Sequence, residues 1–275
     1  MRPERRVASS AHADEARRGG SMPGNSMIWQ SQFQLDVPRM GPVSGRLVGP
    51  KDRARAAPLL FIPDDSLASS SLFYPHLEDR LVKAGFAVAW LDRLSGEQIE
   101  PARELAAAKK LLEVLVAGTL DLRLARGHAG LIGHGLGGGL ALLAAAESIA
   151  ITSSGSGAVP GVVTLGSCAT LDRGDGNPHA RFASEVRSNP ARYSLEGALR
   201  SYPGRVVLVH GEEDFVVPID EGERLYHWSR KEMTRFVLMD KVGHSFGAQQ
   251  PMLQMTKEVD RIGKILVDFF RGLLG

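Results

Sequence analysis

The chain has 275 residues, 43% of them hydrophobic, and its 33 Lys and Arg exceed its 31 Asp and Glu by two. This length and apolar content suit one large α/β domain, and so small a net charge gives no reason to expect a nucleic acid or an anionic membrane as partner. The single cysteine, Cys168, excludes an internal disulfide.

The N-terminal segment differs in composition from the rest of the chain. Residues 1–25 are rich in Arg, Ala, Ser and Gly and have almost no large apolar side chains, so they cannot offset the entropy lost on ordering. We therefore predict a disordered tail over residues 1–25 and a single domain over residues 26–275. The tail lacks the apolar run of a secretory signal peptide, and no stretch of the chain reaches membrane-spanning length. These features favour a cytoplasmic protein.

From Met27 onward, apolar runs typical of strands alternate with stretches of helical spacing. Two early segments alternate polar and apolar residues, as strands at an antiparallel edge do, whereas later runs are continuously apolar, as parallel strands covered on both faces require. This order predicts an α/β fold with a mostly parallel, twisted sheet and helices on both faces. The predicted strands cover residues 27–35, 43–48, 58–62, 86–91, 130–132, 161–165, 205–209 and 235–239; the predicted helices cover residues 71–84, 101–116, 136–149, 221–229 and 252–274.

The most informative motif is Ala129-Gly-Leu-Ile-Gly-His-Gly-Leu-Gly-Gly-Gly139. It predicts a buried strand, a sharp glycine turn and then a helix. This is the setting of the nucleophile elbow, in which the pattern Gly-x-Ser-x-Gly presents a reactive serine on a tight turn. Gly135 stands at the serine position here, so the hydroxyl group that would attack an acyl carbon is absent.

Two later loops carry the other side chains of a serine catalytic triad. His210-Gly-Glu-Glu-Asp-Phe-Val-Val-Pro218 places Asp214 after one apolar run, and Lys241-Val-Gly-His-Ser-Phe-Gly247 places His244 after another. In such a triad the carboxylate orients the histidine, and the histidine takes the proton of the nucleophile. We therefore expect Asp214 and His244 to lie within hydrogen-bond distance of each other.

Taken in the order nucleophile position, acid and histidine, these segments resemble the α/β-hydrolase superfamily. The resemblance runs from about Met27 to the C-terminus. It is strongest to the chlorophyllases, cutinase-like polyester hydrolases and dienelactone hydrolases, because of Phe61-Ile-Pro63, Leu81-Val-Lys-Ala-Gly-Phe-Ala-Val-Ala-Trp-Leu-Asp92 and the glycines after residue 135.

The resemblance implies an ancestry among carboxylic-ester hydrolases and a small apolar or ester-like ligand, with no soluble cofactor. It also implies an oxyanion hole formed by the backbone N–H groups of Leu136 and Asp65. In this superfamily the region matching residues 169–202 often forms a small lid. A plain surface connection with one helix fits its irregular, charged sequence equally well.

Two departures from the family pattern indicate that ester hydrolysis has been lost. Gly135 removes the nucleophile and relaxes a turn that is strained when it carries serine. The chain also reads Pro63-Asp-Asp-Ser66 where relatives place glycine with an aromatic or small residue, and carboxylates facing the pocket would oppose a developing oxyanion. Our first hypothesis is therefore a pseudo-hydrolase that binds a small ligand or a protein partner.

A second hypothesis retains enzymatic activity. A histidine oriented by an aspartate is a competent general acid or base, so the pair His244 and Asp214 could serve lyase or isomerase chemistry. Alternatively, the chain is an esterase whose nucleophile was removed by engineering or has moved to Ser167 or Cys168, which follow the strand next to the elbow strand. A cysteine becomes a strong nucleophile when a neighbouring histidine lowers its pKa.

Two further motifs have competing interpretations. Gly133-His-Gly-Leu-Gly-Gly138 satisfies the dinucleotide pattern Gly-x-Gly-x-x-Gly, but the acid expected about twenty residues later is missing. His134, His210, Asp214 and His244 have the chemistry of zinc ligands, but none of them share a helix or a tight ligand spacing. We therefore expect neither a dinucleotide nor a metal ion.

Overall fold

The structure of the protein, a computed structural model, describes residues 27–64, 72–92, 101–148, 158–174, 183–248 and 255–275. The predicted disordered tail and Asp65 lie outside these residues.

Within the described residues the strands form one eight-stranded sheet in the order β1-β2-β4-β3-β5-β6-β7-β8. The first two strands pair antiparallel with each other, and β2 pairs antiparallel with β4, while all later neighbours are parallel. The predicted mostly parallel sheet with an antiparallel edge is confirmed. The strands are β1 (Ile28–Val37), β2 (Gly41–Pro50), β3 (Ala57–Ile62), β4 (Phe86–Leu91), β5 (Gly130–His134), β6 (Gly161–Leu165), β7 (Arg205–Gly211) and β8 (Thr234–Met239).

Helices cover both faces of this sheet, as predicted. Alternate residues of β3 divide between two apolar cores: Leu59 and Phe61 pack in the core that contains α1 and α7, and Leu60 packs in the core that contains α2 and α3. No helix among the described residues is both long and apolar enough to cross a membrane. The helices are α1 (Phe73–Lys83), α2 (Pro101–Ala117), α3 (Leu136–Glu147), α4 (Ala183–Ser188), α5 (Leu195–Ser201), α6 (Ile219–Trp228) and α7 (Lys257–Leu274), with a short 3-10 helix over Lys231–Met233.

The last helix begins later than its apolar pattern predicts. The predicted start, at about Met252, lies outside the described residues, and α7 starts at Lys257. The hydroxyl of Thr256 accepts a hydrogen bond from the N–H of Val259 at 3.2 Å, which is the arrangement of a helix N-cap. A local capping bond therefore decides the boundary, and hydrophobic spacing alone does not reveal it.

The irregular section 169–202 contains two short helices, α4 and α5, that sequence periodicity did not resolve. Helix α5 is capped by Ser194, whose hydroxyl accepts from the N–H of Gly197 at 3.0 Å. Its buried residues include Leu195 and Leu199, and it packs against α3. Part of this section lies outside the described residues, so the lid stays a prediction.

The parallel arrangement brings the ends of five strands to one edge of the sheet. Asp64 lies just after β3, Gly135 after β5, Gly166 after β6, Asp214 after β7 and His244 after β8. In open α/β sheets this carboxyl edge is where functional groups assemble. The candidate site lies there.

Candidate active site

The predicted glycine turn is present between β5 and α3. Gly135 has φ 55° and ψ −122°, and it precedes the first residue of α3. A Cβ atom on Gly133 would lie 2.3 Å from the carbonyl oxygen of Gly137, and one on Gly137 would lie 2.3 Å from that of Ile62. Close packing of α3 against the strand ends therefore explains the glycines that also satisfy the dinucleotide pattern.

The predicted contact between the acid and the histidine is also present. His244 Nδ1 lies 2.8 Å from Asp214 Oδ2. The other carboxylate oxygen, Oδ1, accepts the N–H groups of Val216 at 3.0 Å and Val217 at 2.8 Å, which fixes the carboxylate. Gly166 passes so close that a Cβ atom there would lie 3.0 Å from Asp214 Oδ2, so a side chain at residue 166 would crowd the pair.

The space beside Gly135, on the side of the histidine opposite Asp214, is occupied. His244 Nε2 lies 2.8 Å from Oδ2 of Asp64, whose side chain is fully buried. A Cβ atom on Gly135 would lie 2.5 Å from Cγ and Oδ2 of Asp64. The carboxylate of Asp64 therefore fills the space that a side chain at residue 135 would need. His244 is held between two carboxylates, and an acid lies where the hydroxyl partner of a serine triad would lie.

This arrangement controls the charge of His244. Burial by itself lowers the pKa of the imidazole, but hydrogen bonds to Asp214 and Asp64, together with their negative charges, raise it to about 9. At neutral pH the ring is therefore protonated and donates from both nitrogens. An imidazolium already carries the proton that a general base must accept.

A second buried histidine braces the first. His134 stacks on His244 with ring centroids 4.7 Å apart, and burial, followed by the positive charge of His244, lowers its pKa to about 4. Its Nε2 lies 3.0 Å from the carbonyl oxygen of His244, which can only accept, so this nitrogen carries the proton. Nδ1 of His134 then accepts from the hydroxyl of Tyr74 at 2.8 Å, and that hydroxyl accepts the N–H of Asp64 at 2.9 Å. Three hydrogen bonds thus connect Asp64, through Tyr74 and His134, to His244. They fix the backbone on both sides of the ion pair.

The contacts described above also occupy the ring nitrogens of His134 and His244, which a metal ion would need as ligands. Nε2 of His210 lies 2.8 Å from the carbonyl oxygen of Val217 and 3.7 Å from Asp214 Oδ2. Among the described residues, no group of three or more His, Cys, Asp or Glu side chains is arranged to hold a metal ion.

The two side chains proposed as replacement nucleophiles have partners other than His244 among the described residues. The hydroxyl of Ser167 lies against α3, where a Cβ atom on Gly138 would come within 2.5 Å of it. The thiol of Cys168 is directed to the carbonyl oxygen of Gly135 at 3.9 Å, and burial raises its pKa to about 12. Since the acids Asp64 and Asp214 hold both nitrogens of His244, these contacts argue against nucleophilic roles for the serine and the cysteine.

We expect the Cys168 thiol to resist alkylation while the protein is folded. Its buried position excludes the reagent, and its raised pKa leaves almost no thiolate at pH 8. Mass spectrometry after treatment with iodoacetamide should detect no adduct on the native chain and complete labelling in urea. Rapid native labelling at pH 8 would contradict this placement and reopen the cysteine as a nucleophile.

Of the two predicted oxyanion residues, the structure describes Leu136 alone. Leu136 is buried. Because it is the first residue of α3, its N–H lies in the first turn, where no helical carbonyl is available as acceptor. Asp65 lies outside the described residues, and its part in an oxyanion hole stays a prediction.

Sequence reasoning missed the parts played by Asp64, Tyr74 and Gly166. The sequence indicates Asp64 only as a charge unfavourable to an oxyanion, although its place shortly after a strand, like that of Asp214, is a signal of a site residue. Tyr74 lies on α1, and nothing in its local sequence connects it to a site 60 residues later along the chain.

Several solved esterases are similar in structure to this chain. The esterase domain of a Rhodothermus marinus protein is 20% identical, with a TM-score of 0.66, and the match covers 90% of this chain and 100% of that one. Carboxyl esterase 2 of Tuber melanosporum is 16% identical, with a TM-score of 0.73 and coverage of 94% and 90%. Dienelactone hydrolase of Anabaena variabilis is 18% identical, with a TM-score of 0.63 and coverage of 90% and 98%. No protein-family model and no curated protein sequence matches the chain.

Proposed function

Because the chain has the α/β-hydrolase fold, we propose that it is a pseudo-hydrolase: a protein of carboxylic-ester hydrolase ancestry that acts by binding and does not hydrolyse esters through a serine. One observation carries the proposal. The carboxylate of Asp64 lies where the side chain of an elbow nucleophile would lie, and it binds the nitrogen of His244 that such a nucleophile would use.

Serine-type acyl transfer needs a nucleophile, a general base and a site that stabilises an oxyanion, and the residues at the elbow lack or oppose each of the three. Gly135 has no hydroxyl to attack the acyl carbon, and the protonated His244 cannot take a proton. The negative charge of Asp64 beside the elbow would also raise the energy of an oxyanion formed there. These three features act together, so the replacement of a single residue does not restore the mechanism.

The filled site limits where a ligand can bind. The nearby cavity bounded by Phe61, Pro63, Leu91 and Ala107 has a volume of about 70 Å³, far below the ~300 Å³ at which pockets for drug-sized ligands begin. Its walls are apolar apart from Asp92, Arg103 and Glu104. For the described residues, this volume favours a binding role that uses the outer surface over one that encloses a drug-sized ester.

The test is a pair of measurements on the native chain. A fluorophosphonate probe should label no serine, and hydrolysis of p-nitrophenyl acetate should equal that of the His244→Gln variant, which lacks the imidazole. A serine esterase of known activity serves as the positive control for both reagents. Labelling at any serine, or turnover that disappears with His244→Gln, would overturn the proposal.

A second candidate function is acid–base catalysis without a nucleophile. The specific observation in its favour is the alternation of Asp214, His244 and Asp64, in which a protonated imidazole and a carboxylate stand side by side as acid and base. Small lactones and esters that stabilise the protein in a thermal-shift screen can be incubated with it in D₂O. Deuterium incorporation at carbon, abolished by Asp64→Asn, would favour this function over the pseudo-hydrolase.

A further inference from the structure

A strongly basic groove lies at the opposite edge of the sheet from His244. It has a volume of about 520 Å³ and runs between α7 and the starts of β7 and β8. Four cations border it: Arg205, Arg235, Arg261 and Lys264. We call these four side chains and the surface between them the basic groove.

Among the residues that the structure describes, three of the four cations have no oppositely charged partner. The guanidinium groups of Arg205, Arg235 and Arg261 are exposed, and none forms an ion pair with another residue that the structure describes. Of the two acids in the lining, Glu232 is already paired with Arg230, outside the groove, at 3.1 Å.

The fourth cation, Lys264, has an ion-pair partner, and the second lining acid, Asp268, forms no ion pair with any of the four cations, all of which the structure describes. Lys264 pairs with Asp260 on its own helix at 2.9 Å. Asp268 is therefore the single lining carboxylate that can offset the three arginines. Uncompensated arginines of this kind attract anions and bind carboxylates in a planar, two-bond geometry.

The floor of the basic groove is apolar. Ile265 and Phe269 of α7 are half-buried between the charged side chains. The ring of Phe269 lies against β6, where a Cβ atom on Gly161 would come within 2.7 Å of it. The ring is thus held in place and leaves part of its surface open to the groove.

We propose that the basic groove binds an acidic peptide segment of a protein partner, with carboxylates on the arginines and an apolar side chain over Phe269 and Ile265. Charge complementarity selects an anion, and the half-buried floor selects an occupant that also carries apolar groups. An open groove bordered by separated arginines suits an extended chain, whereas small-molecule sites are enclosed and mostly apolar. Arginine and aromatic side chains are also those that contribute most at protein interfaces.

Charge complementarity does not favour the N-terminal segment of this chain as the occupant. Residues 1–20 hold five arginines and three acids, so their net charge has the same sign as that of the basic groove. The proposal is also independent of the state of the elbow, since it rests on residues at the other edge of the sheet. It can therefore fail without affecting the pseudo-hydrolase assignment.

Fluorescence polarisation with the full chain tests the proposal. The probe is a fluorescein-labelled peptide rich in glutamate and aspartate with single leucines, and the matched peptide carries glutamine and asparagine in place of the acids. The groove variant is Arg205→Gln/Arg235→Gln/Arg261→Gln. The control variant, Arg192→Gln/Arg200→Gln/Arg224→Gln, removes the same charge from exposed positions on and near α5 and α6.

We expect the acidic peptide to bind the native chain and the control variant alike, and the groove variant to bind at least about tenfold more weakly. Affinity should fall as salt is raised, because exposed charges are screened. Circular dichroism must show that both variants are folded. No binding of the acidic peptide, equal losses in the two variants, or equal binding of the neutral peptide would overturn the proposal. So would binding of inorganic pyrophosphate at the groove in place of the peptide.

Discussion

The double variant Gly135→Ser/Asp64→Ala is expected to hydrolyse p-nitrophenyl acetate, whereas neither single substitution is. Serine alone at residue 135 would place its Cβ atom 2.5 Å from the carboxylate of Asp64, so the side chain collides with the acid that fills the site. Alanine alone at residue 64 opens the space but supplies no nucleophile. The two changes together free the space of the Asp64 oxygen, which lies 2.8 Å from His244 Nε2, and supply a hydroxyl to occupy it.

The substitution Asp64→Ala also allows His244 to act as a general base. Asp64 is one of the two carboxylates that raise the pKa of His244, so its removal lowers that pKa and frees the ring to take the proton of the serine. General-base catalysis contributes about 10²- to 10⁴-fold. We therefore expect the double variant to exceed both single variants by about a hundredfold at pH 8, measured as initial rates with equal protein.

The double variant with His244→Gln is the matched control, and it should return to the rate of the single variants. Fluorophosphonate labelling should appear at residue 135 in the double variant alone. Equal activity in Gly135→Ser by itself would show that Asp64 does not block the elbow. An inactive but folded double variant would show that the oxyanion site is defective as well, which strengthens the binding role.

The free energy of unfolding is expected to depend on pH and to reach its maximum near pH 6.5. The pKa of His244 is raised from 6.5 to about 9 by folding. Between these values the folded state binds more protons than the unfolded state, so the free energy of unfolding falls as pH rises. At 1.36 kcal/mol per pKa unit, the loss is on the order of 3 kcal/mol and is complete above about pH 9.

Below pH 6.5 the free energy of unfolding is expected to change with pH in the opposite direction, because of His134. The pKa of His134 is lowered from 6.5 to about 4 by folding. Here the unfolded state binds more protons, so the stability contributed by neutral His134 is present above pH 6.5 and is lost as pH falls toward 4. Urea unfolding at fixed ionic strength, repeated from pH 4 to 9, measures both sides of the maximum.

The variant Asp64→Asn tests whether the ion pair of His244 with Asp64 causes the pH dependence of the free energy of unfolding. Removing one partner of a buried pair costs about 3–5 kcal/mol, so this variant should be less stable at pH 6.5 and should lose much of the alkaline slope. His128→Gln is the control, because His128 is exposed and should leave the profile unchanged. A native profile that is flat from pH 6.5 to 9 would mean that His244 is not held between two carboxylates.

Among the described residues, the sequence by itself determined the eight strands, five of the seven α-helices, the antiparallel edge, the turn at Gly135 and the pairing of Asp214 with His244. These features depend on local signals, such as apolar runs, glycine turns and polar residues at strand ends, and on a sheet edge that gathers the ends of parallel strands. Only the tertiary structure decided that Asp64 fills the elbow and that Tyr74 and His134 support it. The contacts of Tyr74 with His134 and of Asp64 with His244 join residues 60 and 180 positions apart, and no local pattern fixes where such side chains meet. The physical reason is that a missing side chain leaves a space, and which neighbour fills it depends on packing in three dimensions.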